Sequence, residues 1–368
     1  MIYFFSSYLA QIGGFVENNL LFRGFGAFLS AFICFFLASP YLIKKLYQLK
    51  TGQSIRTADC PLLSQLHEKK KEIPSMGGLL ILLSVFVSSV FWMDFDHYFT
   101  WLLLTVTFAF GIIGALDDYL KMKYKNSSGL KGRKKLAFQL IVSFFIALCL
   151  YDSSFYNMMI TYHFPFFKNP IFILSGLASI LAILITVFII TGSSNAVNLT
   201  DGLDGLATGL TLLVSAVLVV AAFVAADPFR AEVFFVSYIP GSSEVVVYLS
   251  ALIGSCLGFL WYNASPAQIF MGDTGSLSIG GVLGLSSVLI KKEFLFFIVA
   301  GLFVIETISV MLQVASYKWR NKKRIFLCAP LHHHFEYKGW AETKIVIRFW
   351  IVGILLAILG LISIWCYS

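Results

Sequence analysis

The chain has 368 residues, 58% of them hydrophobic and 12% charged, a formal net charge of +8 and a mean hydropathy of +0.84. A soluble domain of this length has no core large enough to hide so much apolar surface, so lipid must solvate much of it. The positive balance, which in a soluble protein points to nucleic acid, is assigned here to loops that orient helices beside anionic lipid, and no nucleic-acid partner is expected.

Residues 1–21 carry no basic segment ahead of their apolar part and are interrupted by Glu17, which is not the pattern of a cleaved signal peptide. Apolar runs that reach or approach bilayer length follow at about 24–43, 76–93, 98–116, 136–151, 171–192, 206–226, 246–262, 276–290, 294–316 and 348–367. The expected fold is therefore all-α, a polytopic membrane protein of about ten transmembrane helices. No long polar stretch marks a separate soluble domain, so a single domain over 1–368 is expected. The six cysteines are scattered, without ligand spacing, and read as small apolar fillers.

Basic residues fix the direction. Of the 27 Lys and Arg, all but Arg23, Lys168, Arg230, Lys291 and Lys292 fall in or beside the loops after helices 1, 3 and 9. The positive-inside rule then places those loops in the cytoplasm and both termini outside. Asp117 and Asp118 follow helix 3, Asp201 and Asp204 lie between helices 5 and 6, and Asp273 precedes helix 8. All five land on the cytoplasmic side, and the loops holding the last three contain no Lys or Arg. Carboxylates without local partners beside a membrane are costly unless a cation joins them, and a divalent metal would serve.

Five motifs sit at these helix ends. In His67 to Gly78 a charge run precedes Pro74, Gly77 and Gly78; such runs mostly orient helices, but a fixed turn would also present Lys70 to a phosphate. In Gly114 to Lys121 the adjacent Asp117 and Asp118 point about 100° apart if helical, so they need not share one job, and Lys121 can pair with either. The bland alternative is a polar helix end with an ordinary ion pair. In Asn195 to Gly205, Asp201 and Asp204 face one side of a helix expected to begin there. Capping needs one polar residue; this stretch has five, with two glycines that let backbone approach a phosphate.

In Asn263 to Ser276, Asp273 stands at the mouth of a helix, where capping by Asp273 or Thr274 is the alternative. In Ala329 to Glu336 three histidines follow one another. Consecutive side chains diverge, which argues against three ligands to one ion. One or two of them at phosphate oxygens is the functional reading and a solvated loop the bland one. Carboxylates, lysines, histidines and helix N-termini gathered on one membrane face suit Mg²⁺-assisted chemistry on a pyrophosphate.

These motifs, in this order and over essentially the whole chain, resemble the MraY family, the phospho-N-acetylmuramoyl-pentapeptide transferases of the polyprenyl-phosphate N-acetylhexosamine-1-phosphate transferase superfamily. Asp117-Asp118-Tyr119, Asn195 to Gly205 and Phe270 to Ser276 resemble superfamily motifs. Ala329 to Glu336, with Lys338-Gly339-Trp340 and Glu306 to Val314, resembles this family rather than relatives that use UDP-N-acetylglucosamine. The chain departs from the family at Glu72-Ile73-Pro74-Ser75 and between Arg56 and His67.

The resemblance implies transfer of phospho-MurNAc-pentapeptide from UDP-MurNAc-pentapeptide to undecaprenyl phosphate, giving lipid I and UMP with Mg²⁺, by a homodimer in the bacterial cytoplasmic membrane. It makes Asp117, Asp118, Asp273 and His332 catalytic, with Asp273 the chief metal ligand and His333 beside the phosphates. It assigns Lys70, Gly202, Leu203, Asp204, Asn263 and Phe270 to the uridine site. Ser75, Lys121, Lys135, Asn195, Asn198, Asp201 and Gln313 become further substrate-binding positions. Direct displacement and a covalent aspartyl route both remain open. The rival classes are a sister transferase using UDP-N-acetylglucosamine, an ion-coupled transporter with acids near mid-bilayer, and an inactive scaffold.

Overall fold

The computed structural model describes residues 19–48, 70, 73–124, 129–151, 155–167 and 169–365. Long runs of Leu, Ile, Val and Phe that meet no water satisfy their backbone groups by folding into helices or a closed barrel, and here they form helices. In order these are α1 (Leu20–Gln48), α2 (Gly78–Trp92), α3 (Tyr98–Tyr124), α4 (Gly132–Tyr151), α5 (Ser179–Thr200), α6 (Leu206–Ala225), α7 (Ser242–Asn263), α8 (Gly272–Leu289), α9 (Glu293–Val299), α10 (Gly301–Trp319), α11 (Leu331–Tyr337) and α12 (Glu342–Trp365). Short helical turns at Tyr156–Met159 and Pro228–Val233 join them, and β1 (Thr161–Tyr162) pairs antiparallel with β2 (Phe172–Ile173).

Each of the ten apolar runs carries helix. Among the described residues seven helices are long and apolar enough to cross a membrane, or eight if α9 and α10, which meet at a 77° bend, count as one span. α2, with 15 residues, is shorter. The run expected at 171–192 is shifted: its first residues form β2 and a 3-10 turn at Gly176–Ala178, and α5 begins only at Ser179.

α8 lies at the centre, with every residue from Thr274 to Leu289 buried. It packs between α3 and α5, while α7 packs against α1 and α6. α1, α4 and α12 turn large apolar side chains outward, among them Leu37, Ile141 and Leu355, the distribution expected where lipid is the solvent. Cys34, Cys149, Cys256 and Cys328 are free thiols. Cys60 and Cys366, the basic residues Lys50, Arg56, Lys69, Lys71, Lys125 and Lys168, and the divergent stretch from Arg56 to His67 lie outside the described residues.

Candidate active site

Three helix ends build the acidic cluster: the last turns of α3, the last turn of α5 and the first turn of α8. α3 and α8 approach closely because Gly114 has no side chain; a Cβ there would lie 2.2 Å from the backbone oxygen of Asp273. The two adjacent aspartates of α3 then take different work, as their angular separation on a helix requires. Asp118 caps α8. Its Oδ1 accepts the Asp273 N–H at 3.1 Å, and its Oδ2 accepts the Thr274 N–H at 3.0 Å and the Thr274 hydroxyl at 2.7 Å. The cap therefore comes from a neighbouring helix, not from Asp273 or Thr274.

Asp117 accepts the Leu130 N–H at 2.6 Å and pairs with Lys121 at 2.6 Å. Asp273 is the hub. Its Oδ2 receives Lys135 at 2.5 Å and Lys121 at 3.0 Å, and its Oδ1 accepts the Asn198 amide at 2.8 Å. Asn198 also donates to the Ser276 hydroxyl at 2.8 Å. Carboxylate oxygens of Asp117, Asp118 and Asp273 all lie within 4.8 Å of one another. Like charges gathered this closely in a partly buried place repel unless cations join them; two lysines do so here, and the all-oxygen donor set suits a hard divalent ion.

Asp201 caps the C-terminal end of α5. The expected helix start at this aspartate is corrected: Asp201 to Gly205 form a turn, Gly205 has φ +77°, and α6 begins at Leu206. Glycine permits that left-handed conformation and breaks the helix on both sides. Asp201 is half-buried and its carboxylate has no hydrogen-bond donor among the described residues. Burial, followed by the nearby carboxylates of Asp273, Asp118 and Asp204, pushes its pKa up to about 7, with Lys121 opposing.

A second cluster adjoins the first. Lys70 is clamped between Asp204 at 2.6 Å and both oxygens of Glu342 at 2.6 and 2.8 Å. Glu342 also accepts the Asp204 N–H at 2.8 Å, and Asp204 accepts the Ala267 N–H at 3.1 Å. Asn263 accepts the Gly205 N–H and the Thr208 hydroxyl, both at 3.1 Å, and donates to the Ile269 carbonyl. The Lys70 ammonium stands 6.0 Å from the centre of the Phe270 ring, and Leu203 is buried. The chain around Ser75 runs along 270–271: Phe270 donates to the Pro74 carbonyl, Gly77 to that of Phe270 and Gly78 to that of Met271. Ser75 thereby borders Gly272 at the foot of α8.

The histidines form α11. His332 is fully buried, its Nε2 against Gly202, where a Cβ would come within 2.3 Å. His333 pairs with Glu336 at 2.5 Å, its ring 4.2 Å from that of His332, and His334 accepts the Leu327 N–H. Two further expected positions bond to their own surroundings: Asn195 donates to Gln139 of α4 and to the Thr191 carbonyl, and Gln313 holds the backbone of Ile325 and Phe326. Sequence reasoning missed Glu342 as a site residue. Its only local signal is an acid in the first turn of an apolar helix, directly after Lys338-Gly339-Trp340.

The fold and site define an all-α bundle of apolar, membrane-length helices with aspartates and lysines collected at one end, where a cation and a phosphorylated group could be held together. The glycosyl transferase family 4 model matches residues 100–291. The phospho-N-acetylmuramoyl-pentapeptide-transferase of Protochlamydia amoebophila is 51% identical over 364 residues, covering 88% of this chain and 89% of its own. Those of Desulfotalea psychrophila and Thermodesulfovibrio yellowstonii are 45% identical over 349 residues and 43% over 364. The first alignment covers 95% of this chain and 94% of the relative, the second 99% and 98%. The chain belongs to the phospho-N-acetylmuramoyl-pentapeptide transferase family, within glycosyl transferase family 4.

Proposed function

We propose that this protein transfers phospho-MurNAc-pentapeptide from UDP-MurNAc-pentapeptide to undecaprenyl phosphate, forming lipid I and UMP for peptidoglycan synthesis. The observation that carries the reading is the meeting of Asp117, Asp118 and Asp273, from distant parts of the chain, with Lys121, Lys135 and Asn198 around one point. The whole chain is one catalytic membrane domain. It crosses the bacterial cytoplasmic membrane ten times with both termini outside and the aspartates in the cytoplasm, and it works as a homodimer.

Asp273 would hold Mg²⁺, with carboxylate oxygens of Asp117 and Asp118 within 4.8 Å of its own; Asp118 meanwhile fixes the start of α8. The ion, when bound, offsets charge on the diphosphate and on the departing UMP. Everything else falls to the chain. A phosphate oxygen of the lipid attacks the phosphorus bonded to the sugar; the bond from that phosphorus to the UMP oxygen breaks, and UMP leaves with the electron pair. A phosphate monoester has a second pKa of about 6, so the attacking group is largely dianionic at neutral pH and needs orientation more than deprotonation. Asp117 supplies that orientation and takes any residual proton. Lys121 and Lys135 offset phosphate charge beside Asp273, and His332 with His333 borders the phosphates. Lys70, Ser75, Gly202, Leu203, Asp204, Asn263 and Phe270 hold the uridine, while Asn195, Asn198, Asp201 and Gln313 line or support the same pocket.

The test is purified protein in detergent with UDP-MurNAc-pentapeptide, undecaprenyl phosphate and Mg²⁺, following UMP release. Activity on that nucleotide sugar, none on UDP-N-acetylglucosamine and none without metal is the expected outcome. Stereochemistry at the transferred phosphorus separates the routes: inversion marks direct displacement, and retention rejects it in favour of a covalent aspartyl intermediate.

A further inference from the structure

Glu306 lies in α10 with no exposure to solvent, in a helix that otherwise reads as an apolar span. A carboxylate there is costly unless its oxygens are used. They are used on the histidine helix. Oε2 accepts the Leu331 N–H at 2.6 Å and Oε1 accepts the His332 N–H at 3.1 Å, so Glu306 takes up two donors at the first turn of α11. The same Oε1 stands 3.3 Å from the His332 ring Nδ1. The ring is itself fully buried, and neither of its nitrogens makes a hydrogen bond to any described residue. Its Nε2 abuts Gly202, in the turn that carries Asp201 and Asp204.

We propose that Glu306 is a positioning residue for the transfer reaction: it fixes the start of α11 and, through its contact with Nδ1, holds the His332 ring with Nε2 toward the phosphate-binding turn at Gly202. Two arrangements converge on this. A mere helix cap has no need to approach the embedded imidazole, yet the oxygen that accepts the His332 N–H also stands 3.3 Å from its ring Nδ1. A buried imidazole that loses both hydrogen bonds is unfavourable for folding alone, which marks Nε2 as reserved for a ligand. Gly202 fits the same picture, because any side chain there would displace the ring. The inference rests on the proposed placement of His332 at the substrate phosphates.

A double-mutant cycle tests it, with Glu306→Gln, His332→Gln and the double variant in purified enzyme. Gln keeps one acceptor for the helix and removes the charge beside the ring. Each single variant is expected to lower kcat on the order of 10²-fold, with KM for the nucleotide sugar within about twofold. The double variant should lose no more than the worse single one, since both changes act through the same ring. Additive losses, or a loss confined to melting temperature with kcat unchanged, overturn the proposal. A second readout needs no turnover: in ¹⁵N-histidine-labelled protein, the ring signals that vanish in His332→Gln should shift in Glu306→Gln. Unmoved signals reject the positioning role. A wild-type enzyme that releases no UMP from UDP-MurNAc-pentapeptide instead counts against the proposed activity, and the ring-signal experiment still decides the role of Glu306.

Discussion

The two ends of the helical bundle treat buried charge in opposite ways. At the start of α1, Arg23 bonds both oxygens of Glu244 at 2.7 and 2.8 Å and the Trp92 carbonyl at 3.1 and 2.9 Å, while Glu244 also accepts the Asp94 N–H. Lys291 pairs with Glu293 at 2.5 Å and lies 4.2 Å from the centre of the Tyr162 ring. Each of these two cations has its anion. About 33 Å away along α7, by the rise of a 22-residue helix, Asp117, Asp118, Asp201, Asp204, Asp273, Glu306 and Glu342 gather, and the lysines paired to them among the described residues are Lys70, Lys121 and Lys135. Matched buried pairs hold helices in register. A surplus of one sign has no such use, and persists where a ligand completes the balance.

The comparison breaks most visibly at Asp273. Asp273→Ala should abolish UMP release, a loss of at least about 10³-fold, while thermal unfolding changes little because like-charge crowding is relieved as hydrogen bonds are lost. A large drop in melting temperature would put Asp273 in the same structural class as Glu244. The converse change is Arg23→Met. It strands a buried carboxylate and should cost about 3–5 kcal/mol of stability, read by thermal or denaturant unfolding, with kcat of the folded fraction unchanged. Pairing it with Glu244→Leu should recover much of that loss; recovery of nothing would mean the pair is not the unit.

The same contrast explains how far the amino-acid sequence reveals the fold and the site. Apolar runs announce helices because lipid leaves the backbone few other solutions, so even the buried α8 is legible as a run of small and apolar residues. Asp117, Asp118 and Asp273 stand out because each interrupts or borders such a run. Their division of labour is half legible: the 100° between neighbours says that the two α3 aspartates differ, but that Asp118 caps a helix 155 residues away is a tertiary fact. Glu342 and Glu306 are hidden for the same reason. An acid beside an apolar stretch, as Glu342 is, looks like an ordinary helix end, and one inside a stretch, as Glu306 is, names no partner, until Lys70, Asp204 or α11 is brought to it from far along the chain. The turn at Asp201 to Gly205 reads as a helix start because polar residues favour caps at either end, and the φ of Gly205 decides which.

Glu342 offers a finer test, because it belongs to the surplus yet is fully engaged with Lys70 and the Asp204 backbone. If Lys70 and Glu342 shape the uridine pocket, Glu342→Gln should raise KM for the nucleotide sugar about tenfold, equivalent to about 1.4 kcal/mol, and leave kcat nearly intact. An equal fall in kcat and kcat/KM would place the pair at the reacting phosphates instead.

The smallest effect concerns Asp201, whose carboxylate, crowded by burial and by Asp273, Asp118 and Asp204, titrates near 7. A divalent cation entering the pocket favours the ionised form, so its binding must release a proton from the fraction of Asp201 still protonated. That fraction is large below pH 7 and small above it. Metal binding to the substrate-free protein should therefore weaken as pH falls through 7, by no more than about tenfold per pH unit for a single coupled proton. Calorimetry in two buffers of different ionisation enthalpy should show close to one proton released at pH 6 and little at pH 8. Asp201→Asn should flatten the dependence. If the variant keeps the wild-type slope, another group carries the proton and Asp201 stands outside the field of the bound ion.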